Sequence, residues 1–209
     1  MAQANSWEIM GSEAYATAAD FEQIFTDHMS FLYLLSFLLT GDEHKAEECF
    51  VAGIGESAKG NRVFKEWACS WARRTIVRSA IRLIAPRQNL AGAKRNLVVT
   101  RAMDKVPLLL RAEVCAILEL PPLERFVFVM STLERYSDHD CSILLGCARR
   151  DIAAARDRAV RHLVGLSEFQ AKNQADPGSQ KSAVEESSGP VIELLIARHF
   201  ATSAVIPSP

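Results

Sequence analysis

The residues equipped for covalent chemistry are few, and their spacing argues against it. Cys49, Cys69, Cys115, Cys141 and Cys147 are scattered, odd in number and set mostly at apolar helical positions. That is the pattern of buried thiols in a reducing cytoplasm, not of a disulfide framework. His139, Cys141 and Cys147 are near neighbours in sequence, but no paired CxxC or HxxxH accompanies them, so no metal centre is expected. No nucleophile, base and orienting group, no phosphate loop and no carboxylate pair can be assembled, so an enzyme and a cofactor are not expected. What remains is the binding of charge. Residues 1–57 carry ten acids against one base, Lys45, whereas residues 67–103 carry no acid and eight bases, beginning with Arg73, Arg74, Arg78 and Arg82. The net charge of -1 hides this segregation, which implies an acidic surface for a protein partner and a basic one for a polyanion. Arginines on successive turns of one helix repel one another and gain stability only from an outside anion. A second basic set, Arg149, Arg150, Arg158 and Arg161, is diluted by Asp151 and Asp157.

Helices must position both sets. Around the second, residues 137–163 read as a helix-turn-helix: Ser137 and Asp140 make a shortened capping box, and Gly146 supplies the turn. Ile152, Ala155, Ala159 and Leu163 then line one face at helical spacing. A basic face on the second helix of such a motif seeks phosphate, yet Ala153 and Ala154 stand where a base-reading helix presents long polar side chains. Around the first set, a helix from residue 62 to 84 is predicted, with Phe64, Trp67, Trp71, Ile76 and Ile81 on its apolar face and arginine on the other. That spacing places Trp67 and Trp71 in the core.

The rest of the chain punctuates these elements. Residues 1–19 read as a loose arm and 20–39 as one apolar helix. Gly41 ends that helix and Asp42 caps the next, residues 43–56, which Gly53 and Gly55 should break. Residues 86–101 lack a period and form a linker; 102–118 resume as helix, and Pro121-Pro122 opens another. Polar, Pro- and Gly-containing residues 168–190 read as a tether leading to an amphipathic segment at 191–209, expected to dock on the chain or a partner. The fold class expected is all-α, with two small helical domains at 20–85 and 102–167. The apolar run at 31–39 is too short for a bilayer, which takes ~20 residues, and the N-terminus lacks a signal peptide's positive charge. No membrane contact and a cytoplasmic location are expected.

Leu120-Pro121-Pro122, Arg125, Ser137, Leu145-Gly146-Cys147, Ile152, Arg158-Ala159 and Leu163 together resemble region 4 of sigma-70 family RNA polymerase sigma factors, of the extracytoplasmic-function group. The apolar run 32–39, Thr40-Gly41-Asp42, Ala46-Glu47-Glu48, Trp67, Ala72-Arg73 and Arg82 resemble region 2 of the same group, so the likeness spans about residues 21–163. It implies a non-enzymatic initiation factor with core RNA polymerase and promoter DNA as partners and an anti-sigma factor as a further one. By the same resemblance Glu47 and Glu48 belong to the polymerase surface. Arg73, Arg74, Arg78 and Arg82 fall on the -10 side, and Arg149, Arg150, Arg158 and Arg161 on the -35 side. The departures fall on contact positions. Val51 and Ala52 replace a glutamine and an acid, Arg74 and Arg78 an asparagine and an aspartate, and Ala153 to Ala155 a lysine, serine and arginine. They motivate the alternative of a sigma-like regulator or adaptor that acts by protein contact without reading promoters.

Overall fold

A run that is apolar on every side must lie in the middle of a helical unit, and residues 31–39 do so. The computed structural model describes residues 14–59, 62–87 and 111–174, with side chains through residue 166. Two compact units are present, Met1–Ile84 and Ala85–Pro209. The described residues are all-helical, apart from turns and an isolated antiparallel bridge between Tyr15 and Phe64. None of the described helices is long and apolar enough to cross a membrane. The linker beyond residue 87, the start of the helix expected at 102, the tether beyond 174 and the segment 191–209 lie outside the described residues.

The first unit is built on α1 (Ala18–Asp27), α2 (Met29–Thr40), α3 (Glu43–Ser57) and α4 (Ala68–Ile84). Thr17 caps α1: its hydroxyl accepts from the Asp20 amide at 3.2 Å, and its own amide donates to the Asp20 carboxylate at 2.7 Å. The single helix expected from residue 20 therefore starts earlier, at Ala18, and it also breaks at His28, whose φ of -107° and ψ of 20° leave the helical region. Past the break, Leu32, Leu35, Leu38 and Leu39 of α2 are buried, as are Phe21 and Phe25 of α1, Phe21 in a cluster with Val63 and Ala68. Gly41, at φ 67°, ends α2, and the Asp42 carboxylate accepts from the Lys45 amide at 3.0 Å to start α3.

The two glycines do not break α3, contrary to the reading from propensity. Gly53 faces α4, where a Cβ would stand 2.4 Å from Ile76 Cδ1. A hydrogen in place of a side chain lets the two helices close, and the seam is sealed by the Ser57 and Thr75 hydroxyls at 2.9 Å. The long helix expected from residue 62 also begins later. Residues 62–64 are extended, Lys65–Trp67 form a 3-10 turn, and α4 starts at Ala68. The extended stretch pairs with the end of the supposed loose arm, Ala16 N–H to Val63 O at 2.7 Å and Lys65 N–H to Ala14 O at 3.0 Å.

The second unit holds α5 (Arg111–Glu119), α6 (Pro122–Phe128), a π-helical turn at Val129–Leu133, α7 (Asp138–Leu145) and α8 (Arg149–Gln174). Pro122 opens α6 at its first turn, where no amide is missed. Arg125 is fully buried and donates to the carbonyls of Leu118 and Leu120 at 3.3 and 3.5 Å, closing the end of α5. Ile152, Ala155, Ala159 and Leu163 face a core of Phe126, Val127, Met130, Cys141 and Leu145. Burying a Leu, Ile or Phe side chain contributes about 1.5–3 kcal/mol, so this face fixes α8. The helix runs on to Gln174, into the stretch read as tether.

Candidate nucleic-acid interface

At 100° per residue, Arg74, Arg78 and Arg82 fall on the side of α4 away from Ile76 and are exposed there, whereas Trp71, on the edge of that side, is half-buried against Phe21, Val63 and Ala68, as its spacing predicts. The Arg78 guanidinium lies 5.7 Å from the centre of the Trp71 ring. Arg82 donates to Ser79 Oγ at 3.2 Å and lies 3.9 Å from the Glu56 carboxylate. Lys59 and Arg82 hold that carboxyl below the usual range, Lys59 contributing most. Arg73 is not part of this row: it sits half-buried on another side of α4, 5.0 Å from the Phe31 ring of α2. Its spacing from Arg74 is one residue, which rotates it by 100° out of the face.

Trp67 is 63% exposed, a correction to its placement in the core, because the 3-10 turn swings it off the α4 stripe. It meets the edge of Phe64 at 5.9 Å between ring centres, and Phe64, itself 39% exposed, stacks on Tyr15 at 4.8 Å. Arg62 lies 6.0 Å over the Tyr15 ring. Tyr15 and Arg62 were not legible as site residues. They meet through the backbone pairing of 14–16 with 63–65, a long-range contact with no local signal.

On α3, Glu47 and Glu48 are exposed on the side opposite Gly53, together with His44 and Val51, which is 66% exposed. No atom lies within 4 Å of the position a Gly55 Cβ would take, so this surface is open. Its negative field reaches Tyr33, whose hydroxyl is pushed up by burial first and by the Glu43 and Glu47 carboxylates second.

The helix-turn-helix is secured at each corner. Ser137 Oγ accepts from the Asp140 amide at 3.1 Å. Gly146, at φ 64°, donates to Ser142 O, and Cys147 N–H bonds the same carbonyl at 3.1 Å, the pattern of a glycine-stopped helix. An Asp138–Arg156 ion pair ties α7 to α8. The four arginines of α8, however, do not share a face. Arg149 donates to His139 Nδ1 at 2.7 Å on one flank, and Arg158 bonds the Glu124 carboxylate of α6 at 2.6 Å on the other. Arg150, 89% exposed and 3.6 Å from Asp151, and Arg161, which donates to Asp157 O at 3.2 Å, point outward with exposed Ala154 between them. The basic face expected from sequence is thus halved, because Arg158 serves the packing of the unit.

Burial pushes the Cys49 and Cys141 thiols up to about 11, and Cys115 and Cys147 upward, so all four stay protonated near neutrality. No cluster of three His, Cys, Asp or Glu able to hold a metal ion occurs among the described residues. No protein-family model, curated protein or solved structure matches the chain.

Proposed function

We propose that this protein is a sigma-70-like transcription initiation factor of the extracytoplasmic-function type, which binds core RNA polymerase and directs it to promoter DNA. The observation that carries this reading is the pairing of two opposed surfaces in the first unit. One is the acidic α3 side with Glu47 and Glu48; the other is the α4 side with the exposed Arg74, Arg78 and Arg82. The first suits a protein, the second a phosphate backbone. Residues 20–85 act as the region 2-like domain on the -10 side, and 102–167 as the region 4-like domain on the -35 side, with Arg150 and Arg161 its outward cations. The protein works in the cytoplasm, needs no cofactor, makes no membrane contact and takes an anti-sigma factor as a further partner.

A second reading is favoured by the halved basic face of α8. With Arg149 and Arg158 engaged and Ala154 between Arg150 and Arg161, the second unit supports a regulator that holds polymerase by protein contact without reading the -35 element. Run-off transcription with purified core polymerase on a promoter library separates the two. Template-specific initiation is expected on the first reading, and stable core binding without initiation on the second. Absence of core binding refutes both.

A further inference from the structure

His139 and Arg149 meet across the corner between α7 and α8, and only one protonation state permits the contact. Arg149 Nη2 lies 2.7 Å from His139 Nδ1. A guanidinium is always charged and can only donate, so the imidazole nitrogen must accept. The ring is therefore neutral, with its proton on Nε2. In a protonated imidazole both nitrogens donate, so the bond is lost and two cations stand side by side. Histidine is the side chain whose ordinary titration falls between about pH 5 and pH 8, so mild acidification is enough to change the corner. The engagement of Arg158 is of another kind, an ion pair with the Glu124 carboxylate that a proton on the imidazole does not alter. Of the other charged or titratable groups on α7 and on the elements packed against it, Asp138 is paired with Arg156 of α8, Asp140 is held in the Ser137 cap, and Arg150 lies 3.6 Å from Asp151. Glu134, Arg135 and Tyr136 lie on the chain that enters α7, and the Cys141 thiol is buried.

We infer that His139 is a pH-sensitive latch on the second unit: neutral, it holds Arg149 back from DNA, and protonated, it releases Arg149 and joins it as a second cation on the phosphate backbone of a duplex. Both side chains are exposed, so a phosphate oxygen can take the place of the imidazole lone pair. Arg149 then donates to that oxygen, and so does His139 Nδ1–H, in charge-assisted bonds stronger than neutral ones. No covalent bond changes; one proton is taken up from solvent as the complex forms. The Arg149–His139 bond favours the neutral ring and a phosphate favours the charged one, so duplex binding strengthens as pH falls. The halved basic face of α8 thereby gains Arg149 and His139 in addition to the outward Arg150 and Arg161. The inference rests on the reading that the second unit meets promoter DNA, and adds the condition under which it does so.

The test is anisotropy of a labelled duplex of arbitrary sequence titrated with the full chain at about pH 8 and about pH 6 over a range of salt. The native chain should bind more tightly at the lower pH, by up to about tenfold per unit, the limit for one proton taken up. Its log-log salt slope should steepen there by roughly 0.9 for each phosphate gained. His139→Gln, whose amide oxygen still accepts from Arg149 but never takes a proton, should bind as the native chain does at about pH 8 and lose most of the pH dependence. His139→Lys, charged throughout, should bind at about pH 8 as the native chain does at about pH 6. His162→Gln, at another exposed histidine of the same unit, should keep the dependence. The inference is overturned by a neutral His139 that carries its proton on Nδ1 in long-range proton–nitrogen NMR, by a pH dependence undiminished in His139→Gln or abolished in His162→Gln, by loss of helix at the lower pH, or by the absence of duplex binding at both. Promoter-specific run-off transcription that ignores His139 leaves the sigma reading standing without the latch, and a His139-dependent response in a chain that binds no core polymerase does the reverse.

Discussion

Gly53 and Gly55 lie two residues apart in α3, and alanine at the two positions should move stability in opposite directions. At Gly55 nothing stands within 4 Å of the added methyl, so alanine there gains only the helix propensity that glycine lacks, about 0.8–1 kcal/mol. At Gly53 the same gain is opposed by a Cβ set 2.4 Å from Ile76 Cδ1, 3.3 Å from Ile76 Cγ1 and 3.6 Å from Phe25 Cζ. Ile76 and Phe25 are both buried, so relief requires a rotamer change or helix displacement, which costs about 1–3 kcal/mol in a packed core. Gly55→Ala should therefore raise the melting point of the first unit by roughly 4–8 °C, while Gly53→Ala leaves it unchanged or lowers it. The assay is convenient, since Trp67 and Trp71 both lie in the Met1–Ile84 unit and the second unit's sequence holds no tryptophan. Ile76→Val, which removes Cδ1, should cost about 0.5–1.5 kcal/mol alone but rescue Gly53→Ala, giving a non-additive double-mutant cycle. Equal stabilisation by alanine at 53 and 55, or strict additivity in the cycle, refutes the α3–α4 packing argument.

In the second unit, Gly146→Val forces a β-branched residue to φ 64° and should cost about 1–3 kcal/mol, seen as an earlier far-UV CD transition with an unmoved tryptophan transition. Arg158→Ala breaks the partly exposed pair with Glu124 and should lower the stability of that unit by about 0.5–1 kcal/mol, whereas Arg161→Ala should not; equal effects would mean that Arg158 is not a packing residue. For α1, the Thr17 amide and then its hydroxyl hold the Asp20 carboxyl below its ordinary value of 3.8. The cap is thus fully present above that value and lost as pH falls through the lowered one. An NMR titration that places Asp20 at or above 3.8, or first-turn amide protection that survives acid, contradicts this assignment.

The helix-turn-helix was legible because its determinants are local. Ser137 with Asp140, Gly146, and the 3–4 spacing of Ile152, Ala155, Ala159 and Leu163 each specify geometry within a turn or two of themselves. Where tertiary contact decides, the sequence misleads. Gly53 is a weak helix former in isolation and a necessary gap once Ile76 lies against it. Trp67 matches the period of α4 but belongs to the turn before it, so hydrophobic spacing puts it inside while the backbone puts it outside. Arg73 and Arg158 read as charge, yet one lies over Phe31 and the other bonds Glu124, contacts made across 42 and 34 positions of chain respectively. The aromatic row could not be read at all without the pairing that brings Tyr15 to Phe64.

The opposition of α3 and α4 has an electrical consequence. Gly53 and Ile76 meet at the seam, so the sides bearing Glu47 and Glu48 and bearing Arg74 and Arg78 point away from each other, and the unit is a dipole across its own thickness. A dipole turns in a field before it touches anything. Near a polyanion over a range of about a Debye length, ~8 Å at physiological salt, the unit rotates its arginines inward and its glutamates outward. On the proposed function, the acidic side is then turned away from the DNA and toward a protein approaching from solvent, so that encounter with one partner would orient the molecule for the other.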